Sequence, residues 1–289
     1  MILRAASFRV PPNFLLKSTM PELPEVETTI KYLRDYTLGQ IVKKLTVTNG
    51  GESAFNAPLS EMQRRIEGRP FTAINRVGKW MLFEFGETKV IGHLRMSGRY
   101  KVTDKALDVP HNRIQFHLEN GKVVNYIDQR RFGTFHLVED FESHSGLKQL
   151  GPDVLKKTFT ADYLFARLQK IKKPIYSALM DQNIIAGLGN IYVNEVLHAC
   201  SIHPLQPANT ITLAQCAEIV TNTVQILALA LKMKGTTLVD NLYQDPDGKK
   251  GTFYRKLQVY GKKKDDNVIV LKIGGRSAFV HRDTKLIVK

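Results

Sequence analysis

Cysteine is scarce in this chain of 289 residues: Cys200 and Cys216 are the only two. So few thiols argue against a disulfide framework, favour a reducing compartment, and rule out a four-cysteine zinc site. Acidic residues are also short, with 27 Asp and Glu against 42 Lys and Arg, which leaves a formal charge of +15 and a pI near 9.7. That imbalance points to a polyanionic partner, nucleic acid before an anionic membrane surface, although a merely soluble basic protein would show the same excess. No uninterrupted apolar run reaches the roughly 20 residues that a transmembrane helix needs. The best stretch, residues 224–231, is short and sits in an amphipathic pattern. Internal repeats and low-complexity tracts are lacking too. What is present is an ordinary hydrophobic fraction of 43%, on a chain long enough for two domains with their own cores.

Residues 1–19 stand apart. They carry Arg4, Arg9 and Lys17, two serines and no acid, and Pro11-Pro12 would break a helix there. The composition fits an organelle transit peptide, and equally an upstream extension ahead of a true start at Met20. Residues 22–40 then read as a helix, with Pro24 in the first turn, early acids and Gly39 as the stop. From residue 41 to about 139 the pattern is β, with strands expected at 42–47, 80–85, 90–94 and 114–118 and a tight turn at Asn120-Gly121. Gly151-Pro152 marks a change of texture. Residues 160–234 are helical in pattern, and from 252 onward short β segments return. The segment 249–289 holds twelve basic residues against three acidic ones. Its apolar positions Val268, Val270, Ala278 and Val280 suggest a folded hairpin that meets phosphates rather than a solvated tail. The expected fold class is therefore α+β. One leading helix and an antiparallel sandwich (20–150) follow the extension (1–19), then comes a helical domain (151–250), then a hairpin (251–289).

The run Met20-Pro21-Glu22-Leu23-Pro24-Glu25-Val26-Glu27-Thr28 resembles the N-terminus of the formamidopyrimidine-DNA glycosylase and endonuclease VIII family. The likeness continues through Gly78-Lys79, Gly92-His93-Leu94-Arg95-Met96-Ser97-Gly98 and Asp128-Gln129-Arg130-Arg131-Phe132-Gly133. It goes on through Gly187-Leu188-Gly189-Asn190-Ile191-Tyr192, Gly235-Thr236-Thr237, Val259-Tyr260-Gly261 and Gly274-Gly275-Arg276-Ser277. Each motif alone is weak, but all of them in order make a specific match over nearly the whole chain from Met20.

The chemistry of the first motif follows from its residue types. A proline at a free N-terminus is a secondary amine that can attack a sugar carbon, expel a base and form an iminium. An internal proline has no basic nitrogen, so the chain must be cut before Pro21 for this to happen. Glu22 beside that amine is placed to protonate the sugar ring oxygen and shuttle protons. The resemblance implies Pro21 as nucleophile, Glu22 as acid and base, Glu25 as a supporting carboxylate, and Lys79 as a lysine reaching the damaged nucleotide. On its own the first motif would read equally well as a helix start with an acidic first turn.

A glycosylase must rotate its target out of the stack, and the gap must be filled. By the resemblance, Met96, Arg130 and Phe132 supply the plug, while Arg131, His111, Asn190 and Arg276 grip DNA. Gly187 and Gly189 permit close approach, and the helix start that follows favours an anion. The family's helix–two-turn–helix element is expected there, with a zinc-finger-like hairpin around Gly274. The four cysteines of that finger are missing, and His281 without thiols is the mark of a structural residue, so a zincless finger with no metal and no cofactor is expected.

The resemblance thus implies a monomeric enzyme of base-excision repair acting on damaged double-stranded DNA, with no membrane partner. It would remove 8-oxoguanine and formamidopyrimidines and then nick the strand by β- and δ-elimination. Oxidised pyrimidines remain an alternative, as does a non-catalytic damaged-DNA binder if Pro21 stays internal. A bacterial cytoplasm and nucleoid fit a start at Met20; a mitochondrion or plastid fits a genuine leader.

Overall fold

The computed structural model describes residues 20–238 and 243–287; the expectations for residues 1–19 lie outside the described residues. Helix α1 (Leu23–Thr37) opens the fold. Its cap is Glu22, and Glu25 accepts the Glu22 N–H through Oε2 at 2.9 Å, the reach-back of a capping box. The helix is therefore one or more residues shorter at each end than its sequence pattern implies.

Among the described residues, ten strands follow in two groups. Strands β1 (Val42–Val47), β2 (Phe71–Val77), β3 (Trp80–Phe85), β4 (Thr88–His93), β5 (Gly98–Thr103), β6 (Asn112–Leu118), β7 (Val123–Asp128) and β8 (Thr134–Val138) form two antiparallel sheets. Their orders are β1-β6-β7-β5 and β2-β3-β4-β8. A helix that the β pattern of this region hides, α2 (Leu59–Ile66), interrupts the run and buries Met62 and Ile66, one helical turn apart. The Asn120-Gly121 turn joins β6 to β7 as expected, with Gly121 at φ 85°. Apolar side chains of both sheets meet face to face: Phe85 of β3 stacks on Phe116 of β6 at 6.0 Å, and Phe83 lies 6.2 Å from Tyr100 of β5. One face of each sheet packs on the other, but β7 is buried along its whole length and β4 and β6 nearly so, so the outer face is covered there as well.

The second core is helical. It gathers α4 (Ala161–Leu168), α5 (Ile175–Leu179), α6 (Asn190–Ala199) and α7 (Leu213–Lys232), after the short turn α3 (Ser145–Lys148). By length and composition α7 is long and apolar enough to cross a bilayer, which the broken run in the sequence does not suggest. It presents Cys216, Ile219, Thr223, Leu227 and Ala230 to the core at helical spacing, as an amphipathic core helix does. Helix α1 serves both cores: Leu23 belongs to the helical one, while Val26, Ile30 and Leu33 belong to the sandwich.

Strands β9 (Val268–Ile273) and β10 (Arg276–His281) form the terminal hairpin across a Gly274-Gly275 turn, with both glycines at positive φ. The preceding residues 253–256 form a 3-10 turn rather than a strand. The hairpin is packed from one end and does not simply alternate: Ala278, Phe279 and Val280 are all buried, while Val270 is exposed. The reason is the support beneath it. Glu195 of α6 accepts the N–H groups of Gln258, Val259 and Tyr260 at 2.7, 3.1 and 2.7 Å, which fixes the approach to the hairpin. Asn194, one residue earlier, accepts the Phe279 N–H at 2.6 Å.

Candidate active site and nucleic-acid face

The cap of α1 places two carboxylates where the two cores meet. Glu22 and Glu25 are each only 2% exposed, and Pro21 beside them is buried. Glu22 Oε1 accepts the Ile191 N–H at 2.8 Å, so the start of α6 points at it. Its other oxygen, Oε2, is buried without a partner. Burial pushes the Glu22 carboxyl up to about 7, against the pull of Lys79 and the helix-start N–H groups, with Glu25 adding to the rise. Its protonated and ionised forms are thus both accessible near neutral pH.

Glu25 is tied down more fully. Its Oε2 holds the Glu22 N–H, and its Oε1 accepts from the Tyr192 hydroxyl and the Thr236 N–H, both at 2.7 Å. Burial still raises its pKa above the ordinary carboxylate value. Three elements far apart in sequence, α1, α6 and the segment after α7, therefore converge on one side chain. Gly235 makes room for this: a β-carbon there would lie 2.7 Å from Glu25 Oε1, and its φ is +78°.

Lys79 occupies the turn between β2 and β3, just ahead of the strand start, and is 5% exposed. Burial lowers its pKa, while Glu22 and Glu25 raise it and Arg276 lowers it. The turn is anchored by Arg76, which donates to Asp153 Oδ2 at 2.5 Å, to the Gly78 carbonyl at 2.7 Å and to Glu27 at 2.9 Å. Asp153 also accepts the Gly78 N–H at 2.8 Å. Lys79 and Glu22 both close on Gly189: a β-carbon there would stand 2.4 Å from Glu22 Cδ and 2.6 Å from Lys79 Nζ. Beyond the close approach of an anion expected at that glycine, its missing side chain leaves space for the acid and the amine.

On the face beside this pocket, two loops are stitched together. The Ser97 hydroxyl donates to Asp128 Oδ1 and accepts the Arg130 N–H at 3.0 Å. Asp128 also accepts the Gly133 N–H at 2.8 Å. The loop with the partly buried Met96 is thereby fixed against the loop with Arg130 and Phe132. Arg130 lies over the Phe132 ring at 4.8 Å, and that ring is 50% exposed. Arg131, at φ 57°, turns away toward Gly50. His111, at φ 71°, sits nearby with Nδ1 at 3.1 Å from Arg113. Arg113 is a residue the motifs do not single out: it is 4% exposed and donates to the carbonyls of Asp128 and Asn49 at 2.9 and 2.5 Å. Asn190 opens α6, and exposed Arg276 at the hairpin turn is close enough to influence both Lys79 and Tyr176.

The hairpin's donor set does not fit a tetrahedral zinc centre. It contains no cysteine; Cys200 follows α6 and Cys216 lies within α7. His281 pairs with Asp283 at 3.4 Å and its ring lies 6.1 Å from that of His198. Packing on Asn194 and the buried Ala278-Phe279-Val280 run hold the shape instead.

A capped helix presenting a buried acid, a buried amine opposite it, and a stitched pair of probing loops define the class of helix–two-turn–helix DNA glycosylases. Comparison with known proteins agrees. Residues 20–135 match the family model for the formamidopyrimidine-DNA glycosylase N-terminal domain, and residues 150–241 that for its H2TH domain. The formamidopyrimidine-DNA glycosylase of Pasteurella multocida is 38% identical over 245 residues, 84% of this chain and 89% of that protein. That of Hydrogenovibrio crunogenus is 39% identical over 246 residues, covering 84% and 86%. The crystal structure of MutM (Fpg) from Thermus thermophilus superposes with a TM-score of 0.81 at 31% identity, covering 90% of this chain and 97% of that one. The Lactococcus lactis protein in complex with abasic-site DNA gives 0.82 at 28% identity, covering 90% and 98%. The chain belongs to the formamidopyrimidine-DNA glycosylase family, enzymes of base-excision repair.

Proposed function

We propose that this chain excises oxidised purines from duplex DNA and then cleaves the strand, with Pro21 as the nucleophile once it is the first residue. The observation that carries the reading is the buried Glu22 carboxyl, raised to about 7, immediately after that proline and facing Lys79.

The freed ring nitrogen attacks C1′ of the damaged nucleotide. The bond from C1′ to the base breaks, and its electron pair leaves with the base, which takes up the proton that the attacking amine gives up. Glu22 in its acid form protonates O4′ as the sugar ring opens, giving an iminium between Pro21 and C1′. Loss of a proton from C2′ expels the 3′ phosphate by β-elimination, δ-elimination expels the 5′ phosphate, and water releases the amine. Lys79 supplies positive charge at the nucleotide's phosphate, and Glu25 holds Glu22 and the segment at Thr236 in place.

Opening the duplex costs a few kcal/mol. Burying a fully exposed phenylalanine or methionine returns about 1.5–3 kcal/mol, and Phe132 and Met96, both already partly buried, would return a part of that each toward the cost. Arg130 fills the remaining space and pairs with the orphan base, while Arg131, His111, Asn190 and Arg276 hold the backbone. The Lactococcus lactis complex with abasic-site DNA supports the same partner here. The relatives are bacterial, which supports work on the nucleoid for a chain that starts at Met20. We assign catalysis to the sandwich part (20–150), duplex binding to the helical part (151–250), and a metal-free phosphate contact to the hairpin (251–289), all acting as a monomer without cofactor.

Borohydride trapping on a duplex with 8-oxoguanine or an abasic site tests the reading. A chain that begins at Pro21 is expected to form a covalent adduct, and one that retains residues 1–20 is not. No adduct from the chain beginning at Pro21 overturns it.

A further inference from the structure

Asn190 lies at the first position of α6, partly exposed; its neighbour Gly189 faces Lys79 Nζ, and its hydrogen-bond partner Tyr176 feels the charge of Arg276. A carboxamide there has two possible senses, and only one presents N–H groups to an anion. The structure contains a chain of hydrogen bonds that decides between them. The Phe279 N–H of β10 has no acceptor capacity, so the atom of Asn194 that meets it at 2.6 Å must be the oxygen. The other end of the Asn194 amide is then its NH2 group. That group donates to the Asn190 carbonyl at 2.6 Å and to the Asn190 side chain at 3.1 Å. A donor facing Asn190 requires oxygen on the near side. The Tyr176 hydroxyl of α5 reaches the same oxygen at 2.5 Å. Its alternative acceptor, the Ser277 carbonyl, lies at 3.5 Å and is much the weaker partner.

We infer that Tyr176, together with Asn194, is a positioning residue that makes Asn190 a donor-only group facing DNA phosphate. The inference rests on the proposed DNA-binding reading and deepens it. With its oxygen saturated by two inward donors, Asn190 has only Nδ2–H groups left for a ligand. Flipping it would set NH2 against NH2. Tyr176 is 1% exposed, so it acts through Asn190 and touches no DNA itself. The same relay starts on the hairpin that carries Arg276, so seating the hairpin and aiming the helix-start donor are one event.

The test uses the full chain and a duplex bearing a tetrahydrofuran abasic analogue, with Kd read by fluorescence anisotropy and Tm by calorimetry. Tyr176→Phe keeps the buried ring and removes the hydroxyl. It is expected to raise Kd about tenfold, the size of one misdirected hydrogen bond to a charged group, with Tm shifted by no more than a few degrees. Asn190→Ala is expected to raise Kd at least as much, and adding Tyr176→Phe to it should change Kd no further. A purely structural tyrosine would weaken binding by the same factor in both backgrounds, and that result overturns the inference. So does an unchanged Kd in Tyr176→Phe while Asn190→Ala weakens binding. If Asn190→Ala itself binds normally, the inference falls together with the phosphate contact assigned to Asn190. Asn190→Asp gives a second, independent arm. Its carboxylate accepts from both Tyr176 and Asn194, so Tm should hold while Kd rises beyond that of Asn190→Ala. Normal binding by Asn190→Asp overturns the inference even if Tyr176→Phe proves unstable.

Discussion

Ser97 donates its hydroxyl to Asp128 and accepts the Arg130 N–H, which joins the loop of Met96 to the loop of Arg130 and Phe132. Neither residue reaches outward, yet together they set where three probing side chains stand. Asp128 is 1% exposed and also takes the Arg130 and Gly133 N–H groups, at 3.1 and 2.8 Å.

Replacing Asp128 by Asn would face an NH2 group with donors. Buried polar groups left unpaired cost about 1–3 kcal/mol each. Asp128→Asn should therefore lose about 3 kcal/mol in urea unfolding. Ser97→Ala should lose about 1 kcal/mol and excise 8-oxoguanine from duplex about tenfold more slowly, while cleaving a single-stranded abasic site at a near-normal rate. Equal loss on both substrates would show that the contact does not act through duplex opening.

Gly189 is expected to tolerate no side chain. Its φ of −136° is open to any residue, so the constraint is steric: the added carbon would sit 2.4 Å from Glu22 Cδ and 2.6 Å from Lys79 Nζ. Gly189→Ala must push the acid and the amine apart. Single-turnover excision should fall at least 100-fold, the scale on which small misplacement of catalytic groups acts, while the far-ultraviolet circular dichroism spectrum stays native.

The pH dependence of Glu22 has a definite sign. Burial raises its folded pKa from 4.5 to about 7, so the folded state binds its proton more tightly than the unfolded one. The stability it contributes is complete below the unfolded value and is lost as pH climbs to about 7. Glu22→Gln removes that slope. The difference in unfolding free energy between the two proteins should change across this window and be flat above it. Base excision should decline above the same upper pH as the acid form disappears, and a profile without that limb would remove Glu22 as the proton donor.

Metal chelation should change nothing. With no thiolate in the hairpin, phenanthroline or EDTA is expected to leave strand incision and Tm unaltered, and elemental analysis should find less than one zinc per ten chains. Arg276→Ala should still weaken DNA binding about tenfold, because the phosphate contact proposed for it needs the hairpin's shape and no metal.

Much of this molecule was legible in its residue order. Strands β1 and β3 fall at the bounds expected from their apolar and β-branched residues, and the Asn120-Gly121 turn joins its two strands. Helix α2 was not, because its eight residues show only one buried turn within a long β region. The expected hairpin is present, but its burial does not follow the alternation of Val268, Val270, Ala278 and Val280, since α6 beneath it covers Ala278, Phe279 and Val280 together. Arg113 and Tyr176 carried no signal at all: each looks like any basic or aromatic residue until its partners from other segments are beside it.

The residue order by itself determined the two hydrophobic patterns, the positive charge, and which side chains were available as acid, amine and wedge. Those are local properties, set by side-chain chemistry and by the periods of helix and strand. Tertiary structure decided the rest. It buried Glu22 between two cores, which moved its proton into the neutral range. It closed Lys79 and Glu22 around a glycine more than a hundred positions away from either, and it aimed the amide of Asn190 through a hairpin eighty-odd residues downstream. Desolvation and hydrogen-bond direction depend on neighbours in space, and no window of sequence contains them.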